Sequence, residues 1–224
     1  MIPFNAATLR DKEVIVVKLL RIDSSPMGEA AISRQLTKEF VQRWLSANPQ
    51  STVIKRDLTT ITIPVIDAAW VAANYTPTES RTHQQNELLK LSTEFITELL
   101  DADEYVMGMP MHNWGPPSSF KLWVDQIVTA SSSPERPLAG RRATLTGKRA
   151  SFIIAAGAVY TPVSANASKN YLVPWLRTLF GSLGIKDMQF VLADGTRETN
   201  KGKIDRAAFL APHVEAIHAL FAQE

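Results

Sequence analysis

Hydrophobic and polar positions along this chain alternate between two regimes. Val14–Ile22 is rich in β-branched and large aliphatic residues, which reads as a buried strand, and strands buried on both faces suggest a parallel sheet. After the loop Asp23-Ser24-Ser25-Pro26-Met27-Gly28, apolar residues Ile32, Leu36, Phe40, Val41, Trp44 and Leu45 recur at helical spacing until Asn48-Pro49. Thr52–Arg56 is a short second strand. Ile61–Thr82 has no clean period and carries Pro64 and Pro77, so it is expected to be a loop with a short helix around Asp67–Ala73. Gln84–Asp101 has Leu88, Leu91, Phe95 and Leu99 on one helical face, Tyr105–Met109 is a central strand ending at Pro110, and Ser118–Ala130 is a helix. Ser131–Lys148 is rich in Ser, Pro, Arg and Gly and reads as exposed. Ser151–Ala156 is a fourth strand, Ala167–Leu183 a helix, Met188–Leu192 a fifth strand and Lys203–Ala222 a closing helix.

Such alternation of strands and helices marks a parallel sheet covered on both faces, and right-handed crossovers leave few topologies. Five strands favour an α/β, flavodoxin-like three-layer sandwich with strand order 2-1-3-4-5 over the longer six-stranded dinucleotide fold. No stretch reads as a linker between two cores, so residues 1–224 are expected to form one domain, with 1–12 as an N-terminal extension. Ligands of these sheets bind beyond the carboxyl ends of the strands, at the switch point between strands 1 and 3. The loops Asp23–Ser33, Met109–Ser118 and Ala155–Ser164 are therefore where chemistry is expected.

Composition narrows that chemistry. With no cysteine among 224 residues, disulfides, thiolate metal sites, Cys nucleophiles and Fe–S clusters are excluded. Four scattered histidines leave no recognisable zinc set, so no metal is expected. A net charge of +2, from 24 basic and 22 acidic residues, gives no electrostatic case for nucleic acid. Residues 1–13 lack the layout of a secretion signal, and the longest apolar run is far short of the roughly 20 residues of a spanning helix, so a soluble cytoplasmic protein without a membrane role is expected.

The first loop, through Ser25 to Ser33, combines hydroxyls with the amides of a helix start, an arrangement that binds anions; taken alone it reads more readily as a turn whose Ser or Asp caps the helix. No Walker lysine and no Gly-x-Gly-x-x-Gly is present, which disfavours nucleoside triphosphates and a Rossmann-bound dinucleotide. Gly108–Lys121 offers two glycines and three prolines around Met111, His112, Asn113 and Trp114: a stiff loop with open amides and an aromatic wall, suited to a flat heteroaromatic ligand. A Pro-rich turn whose Trp packs in the core has the same pattern. Ala155, Ala156, Gly157 and Ala158 follow strand 4 and permit close approach of a planar group, or simply a tight packing corner. The basic stretch Arg136, Arg141, Arg142, Lys148 and Arg149 reads as a solvated loop or as attraction for an anionic substrate.

Taken together, Asp103–Ile127 (Asp-Ala-Asp-Glu-Tyr-Val-Met-Gly-Met-Pro-Met-His-Asn-Trp-Gly-Pro-Pro-Ser-Ser-Phe-Lys-Leu-Trp-Val-Asp-Gln-Ile), Ser25-Pro26-Met27-Gly28-Glu29 and Ile63-Pro64-Val65-Ile66-Asp67 resemble the FMN-dependent NADH-azoreductases, also described as NADH:quinone oxidoreductases, of the flavodoxin-like superfamily. The likeness runs from about Val14 to about Ala222. It implies FMN as cofactor, NADH or NADPH as donor, and a small-molecule quinone or azo compound as acceptor, in a ping-pong, two-electron hydride transfer carried by the flavin. It implies a homodimer and no acid–base residue pair. By position, Ser25, Ala31, Ile32 and Ser33 match the phosphate loop, Met111, His112, Asn113 and Trp114 the segment along the isoalloxazine edge, and Ala155, Ala156, Gly157 and Ala158 the loop at the ring's polar edge; Tyr160 would wall the substrate pocket. Three segments depart from the family pattern. Ala31-Ile32-Ser33 stands where Ser-Gln-Ser is common, removing one hydroxyl and one amide; the strand-4 loop lacks the usual polar residues and second glycine; and Ser131–Arg136 replaces an aromatic segment. Reductases of other electrophiles such as nitroaromatics, and a non-catalytic flavodoxin-like carrier or interaction module, stay open, although +2 argues against an acidic electron shuttle.

Overall fold

A computed structural model describes residues 16–128 and 144–222. Its centre is a five-stranded parallel sheet of order β2-β1-β3-β4-β5, as expected from the alternation, formed by β1 (Lys18–Asp23), β2 (Thr52–Asp57), β3 (Glu104–Pro110), β4 (Arg149–Ala156) and β5 (Asp187–Asp194). Seven α-helices accompany it among the described residues: α1 (Ile32–Ala47), α2 (Ala68–Tyr75), α3 (His83–Asp101), α4 (Ser118–Ile127), α5 (Leu172–Ser182), α6 (Thr196–Asn200) and α7 (Arg206–Leu220).

Pleating sends alternate residues of each strand to opposite cores. Leu20 and Ile22 of β1, Tyr105, Met107 and Met109 of β3, and Phe152 and Ile154 of β4 meet Phe95 and Leu99 of α3, Phe120 and Trp123 of α4 and Phe180 of α5. Leu19, Val106 and Ile153 face the other way, onto Leu36, Phe40 and Trp44 of α1 and Ile217 of α7. Among the described residues no helix is long and apolar enough to cross a membrane.

Several boundaries differ from the sequence expectation, each for a local reason. β1 begins at Lys18, where its ladder with β2 starts opposite Thr52; Val14 and Ile15 lie outside the described residues. The helix expected over Ala167–Leu183 is split. A short 3₁₀ turn, Ala167–Lys169, precedes α5, and the Asn170 side chain accepts from the Val173 amide at 3.2 Å, starting a new helix. α7 starts at Arg206 rather than Lys203 because Asp205 caps it, accepting from Ala208 N–H at 3.0 Å. Ile127 ends α4; Ala130 and most of the expected Ser131–Lys148 loop lie outside the described residues. α6 forms in a segment that reads from its sequence as plain connection.

Candidate active site

The carboxyl edge of the sheet opens into a cleft of about 270 Å³. Its walls come from four connections. Ser25, Met27, Ala30, Ala31, Ile32 and Ser33 follow β1; Pro110, Met111 and His112 follow β3; Ala155 and Gly157 follow β4; Thr196 and Asn200 follow β5. The β1–β3 switch point thus holds a cleft, as the strand order requires.

The first wall is an open helix start. The N-cap of α1 is Ala31, whose side chain cannot cap, and the helical ladder opens with Gln35 N–H donating to Ala31 O at 3.1 Å. The amides of Ile32, Ser33 and Arg34 therefore precede the helical ladder and point toward the cleft end of the helix axis. α2, α3 and α7 are treated differently: Asp67, Thr82 and Asp205 each accept a first-turn amide. An uncapped start between two buried serines, Ser25 and Ser33, suits an anion more than a self-satisfied turn. The arginines beside this turn are engaged with carboxylates. Arg21 is tied to Asp23 at 2.7 Å, Arg34 to Asp57 at 2.6 Å and to Glu29 at 3.5 Å. Burial pushes the Asp57 carboxyl up, but hydrogen bonds from Thr59 and Arg34 outweigh it and hold it below its ordinary value.

Nothing in the sequence announces this charged cluster, because Arg21 and Asp23 sit inside an apolar strand. They fill the α1 face of β1, where Thr37 Oγ1 donates to Asp23 Oδ1 at 2.9 Å. Gly108 of β3 makes the fit possible: a Cβ there would lie 2.6 Å from Thr37 Cγ2 and 3.3 Å from the Ser33 carbonyl oxygen. The helix start can approach the sheet this closely only over a glycine.

The second wall is pinned to the sheet. Met111 N–H donates to Ala155 O at 2.8 Å, extending the β3–β4 ladder past Pro110. His112 and Gly115 then exchange two backbone hydrogen bonds of 3.0 Å each. Between them, Asn113 and Trp114 adopt φ of 48° and 66°, a tight reverse turn with both central residues left-handed. Trp114 is 49 % exposed, so the alternative in which it packs in the core does not hold.

Of the sequence candidates, Ser25, Ala31, Ile32, Ser33, Met111, His112, Ala155 and Gly157 line the cleft. The exposed Asn113 and Trp114, the buried Ala156 and the half-buried Ala158 and Tyr160 are not part of its lining. The Tyr160 amide donates to Asp194 Oδ2 at 2.5 Å, and Ala158 O accepts from Gly195 N–H at 3.2 Å. Thr196 and Asn200 escape a reading of the sequence; the available signal is Asp194-Gly195 directly after an apolar strand. Of the basic stretch, the described Lys148 and Arg149 do not line this cleft. Lys148 and Arg149 lie at the amino end of β4, opposite the site, where Lys148 Nζ donates to the carbonyls of Leu99 and Leu100 and Arg149 pairs with Asp187. Arg136, Arg141 and Arg142 fall outside the described residues.

Comparison with known proteins agrees with this architecture. The model of the family described as "Flavodoxin-like fold" matches residues 17–219. The chain is 59 % identical over 205 residues to the FMN-dependent NADH:quinone oxidoreductase 3 of Burkholderia lata, covering 92 % of this chain and 99 % of that protein. It is 43 % identical over 206 residues to the FMN-dependent NADH:quinone oxidoreductase of Acidobacterium capsulatum, covering 90 % and 98 %. Among solved structures, an FMN-dependent NADH-azoreductase from Bacillus anthracis in complex with FMN superposes with a TM-score of 0.76 at 22 % identity, covering 93 % of this chain and 99 % of that one, a likeness of fold. With an identity of 59 % running over almost the whole of a relative and a cleft at the expected edge, the chain belongs to the FMN-dependent NADH:quinone oxidoreductase family of flavodoxin-like proteins.

Proposed function

We propose that this chain binds FMN in the cleft at the carboxyl edge of the sheet and is an NADH:quinone oxidoreductase. The observation that carries the reading is the uncapped start of α1, open between Ser25 and Ser33 in a member of this family. FMN, when bound, supplies the hydride acceptor and donor chemistry that the side chains lack. The residues supply position and field. The amides of Ile32, Ser33 and Arg34, with the hydroxyls of Ser25 and Ser33, hold the phosphate. Pro110, Met111 and His112 would bound the flavin ring, and the side-chain-free Gly157 would let backbone N–H groups approach it. Asn113 and Trp114, held out on a strained turn, form the lip over which donor and acceptor exchange.

The physiological unit in this reading is a homodimer located in the cytoplasm. The half-exposed Trp114 and the half-buried Tyr160 then gain a second wall from the partner, and the acceptors are quinones, with azo compounds as a second class.

Colour tests the reading. Purified protein is expected to be yellow and to bleach anaerobically on addition of NADH. A colourless preparation that ignores added FMN would sink the flavoprotein reading, and a yellow one that NADH fails to bleach would leave only a carrier. Replacing both Ser25 and Ser33 by Ala removes two hydrogen-bond donors to a dianion and is expected to weaken FMN retention by about 10²-fold, at roughly 1.5 kcal/mol each. Unchanged retention would refute the phosphate placement.

A further inference from the structure

The cleft has a polar wall that neither the Gly108–Lys121 segment nor the first loop supplies. β5 is an edge strand, and the chain leaves it at Gly195, whose φ of 80° is open to glycine at little cost. Two backbone hydrogen bonds then fasten the following turn to the loop after β4: Gly195 N–H to Ala158 O at 3.2 Å and Arg197 N–H to Gly157 O at 3.3 Å. This anchoring aims Thr196 and Asn200 into the cleft. They stand four residues apart, so one helical face presents both.

The connection also leans on the start of α1. Arg206, a few residues further on, donates from Nε to Gln35 Oε1 at 3.0 Å and from Nη2 to the carbonyl of Ala30. The segment carrying Thr196 and Asn200 is thereby drawn toward the phosphate turn. That turn is short of side-chain donors: Ala31 and Ile32 offer none, leaving Ser25 and Ser33. The connection after β5 adds one hydroxyl and one carboxamide to the lining, each able to donate to an anion.

We infer that Thr196 and Asn200 are phosphate-end ligands of FMN, a second set of donors from the far edge of the sheet that replaces the hydroxyl and amide absent from the Ala31-Ile32 turn. This rests on the reading of the cleft as an FMN site. Discrimination between FMN and riboflavin, which lacks the phosphate, follows from it. Both side chains act in binding alone and take no part in the redox chemistry.

The experiment is flavin binding by fluorescence quenching to the full-length chain. The proteins are wild type, Thr196→Val with Asn200→Ala, and Thr196→Ser as the hydroxyl-retaining control. The double variant is expected to bind FMN about a hundredfold more weakly, the loss of two hydrogen bonds to a dianion. Riboflavin affinity should move less than about twofold, and Thr196→Ser should stay near wild type. Asn200 is exposed and Thr196→Val nearly isosteric, so an unchanged circular dichroism spectrum is expected throughout. Wild-type FMN binding with an unaffected double variant, or equal losses for both flavins, overturns the inference while leaving the FMN site standing. A wild-type protein that binds neither flavin overturns both.

Discussion

Adding a single methyl group at Gly108 should loosen the phosphate turn from beneath. In Gly108→Ala the new Cβ would sit 2.6 Å from Thr37 Cγ2, with Asp23 Oδ1 at 3.1 Å and Ser33 O at 3.3 Å behind it. Thr37 cannot simply rotate away. It is fully buried, and its hydroxyl donates to Asp23 Oδ1 at 2.9 Å and is 3.0 Å from the Arg34 carbonyl. Rotation forfeits a hydrogen bond to a charged group, about 1.5–3 kcal/mol. Pushing α1 off the sheet instead costs about 1–3 kcal/mol of overpacking. Against either stands about 0.5–1 kcal/mol gained by replacing a strand glycine. The net expectation is a loss of about 1–1.5 kcal/mol, a fall in Tm of roughly 2–6 °C for a chain of this size. Urea denaturation of a double-mutant cycle checks the cause. Thr37→Ser removes the obstructing methyl but keeps the hydroxyl, so it should cost about 1 kcal/mol alone yet rescue at least about 1 kcal/mol of the Gly108→Ala loss. Strict additivity of the two changes, or a neutral Gly108→Ala, would refute the close-approach argument. Because Ser33 is part of the same contact, FMN affinity should fall in Gly108→Ala and recover in the double variant.

Other expectations follow from single features. Lys148→Met removes the donor to the Leu99 and Leu100 carbonyls at the end of α3 and should cost about 1–2 kcal/mol in urea denaturation; flavin retention should not change, and a loss of it would contradict the placement of Lys148 opposite the site. Burial pushes the His213 imidazole below its ordinary value of 6.5, against a smaller opposing pull from Asp194. The unfolded chain therefore takes up the proton first, so this residue's contribution is complete above about pH 6.5 and is lost as pH falls toward the folded value. His213→Leu should flatten the dependence of the urea midpoint on pH between about 7 and 5, and an unaltered slope would refute the assignment. Trp114→Gly relieves a left-handed backbone costing about 1–2 kcal/mol against about 0.5–1 kcal/mol of added chain entropy, so stability should hold or rise by up to about 1 kcal/mol. Trp114→Val should lower it; a large loss in the glycine variant would show that the turn is not strained.

The change of hydrophobic period along the chain determined the element types and their order, and with them the sheet. Runs such as Tyr105–Met109 are apolar on both faces because both faces are covered, and Ile32 to Trp44 repeat at helical spacing because one face of α1 is buried. Strand order then placed the ligand cleft at the loops after β1, β3 and β4, since all carboxyl ends of a parallel sheet share one edge. Arg21 and Asp23 are opaque to that reading. Periodicity reports whether a position is buried, and a charged residue in a strand looks like an interruption until its partners, Thr37 on a neighbouring helix and Gly108 on a neighbouring strand, are brought alongside. The left-handed turn at Asn113 and Trp114 is hidden for a related reason: neither central residue is a glycine, and the two hydrogen bonds between His112 and Gly115 hold it. Thr196 and Asn200 lie far along the chain from Ser25, and nothing local marks them as its companions. Side-chain chemistry at each position is a property of the chain, but which of those positions face one another across a cleft is decided by strand order, a turn at Gly195 and the packing of α7 on α1.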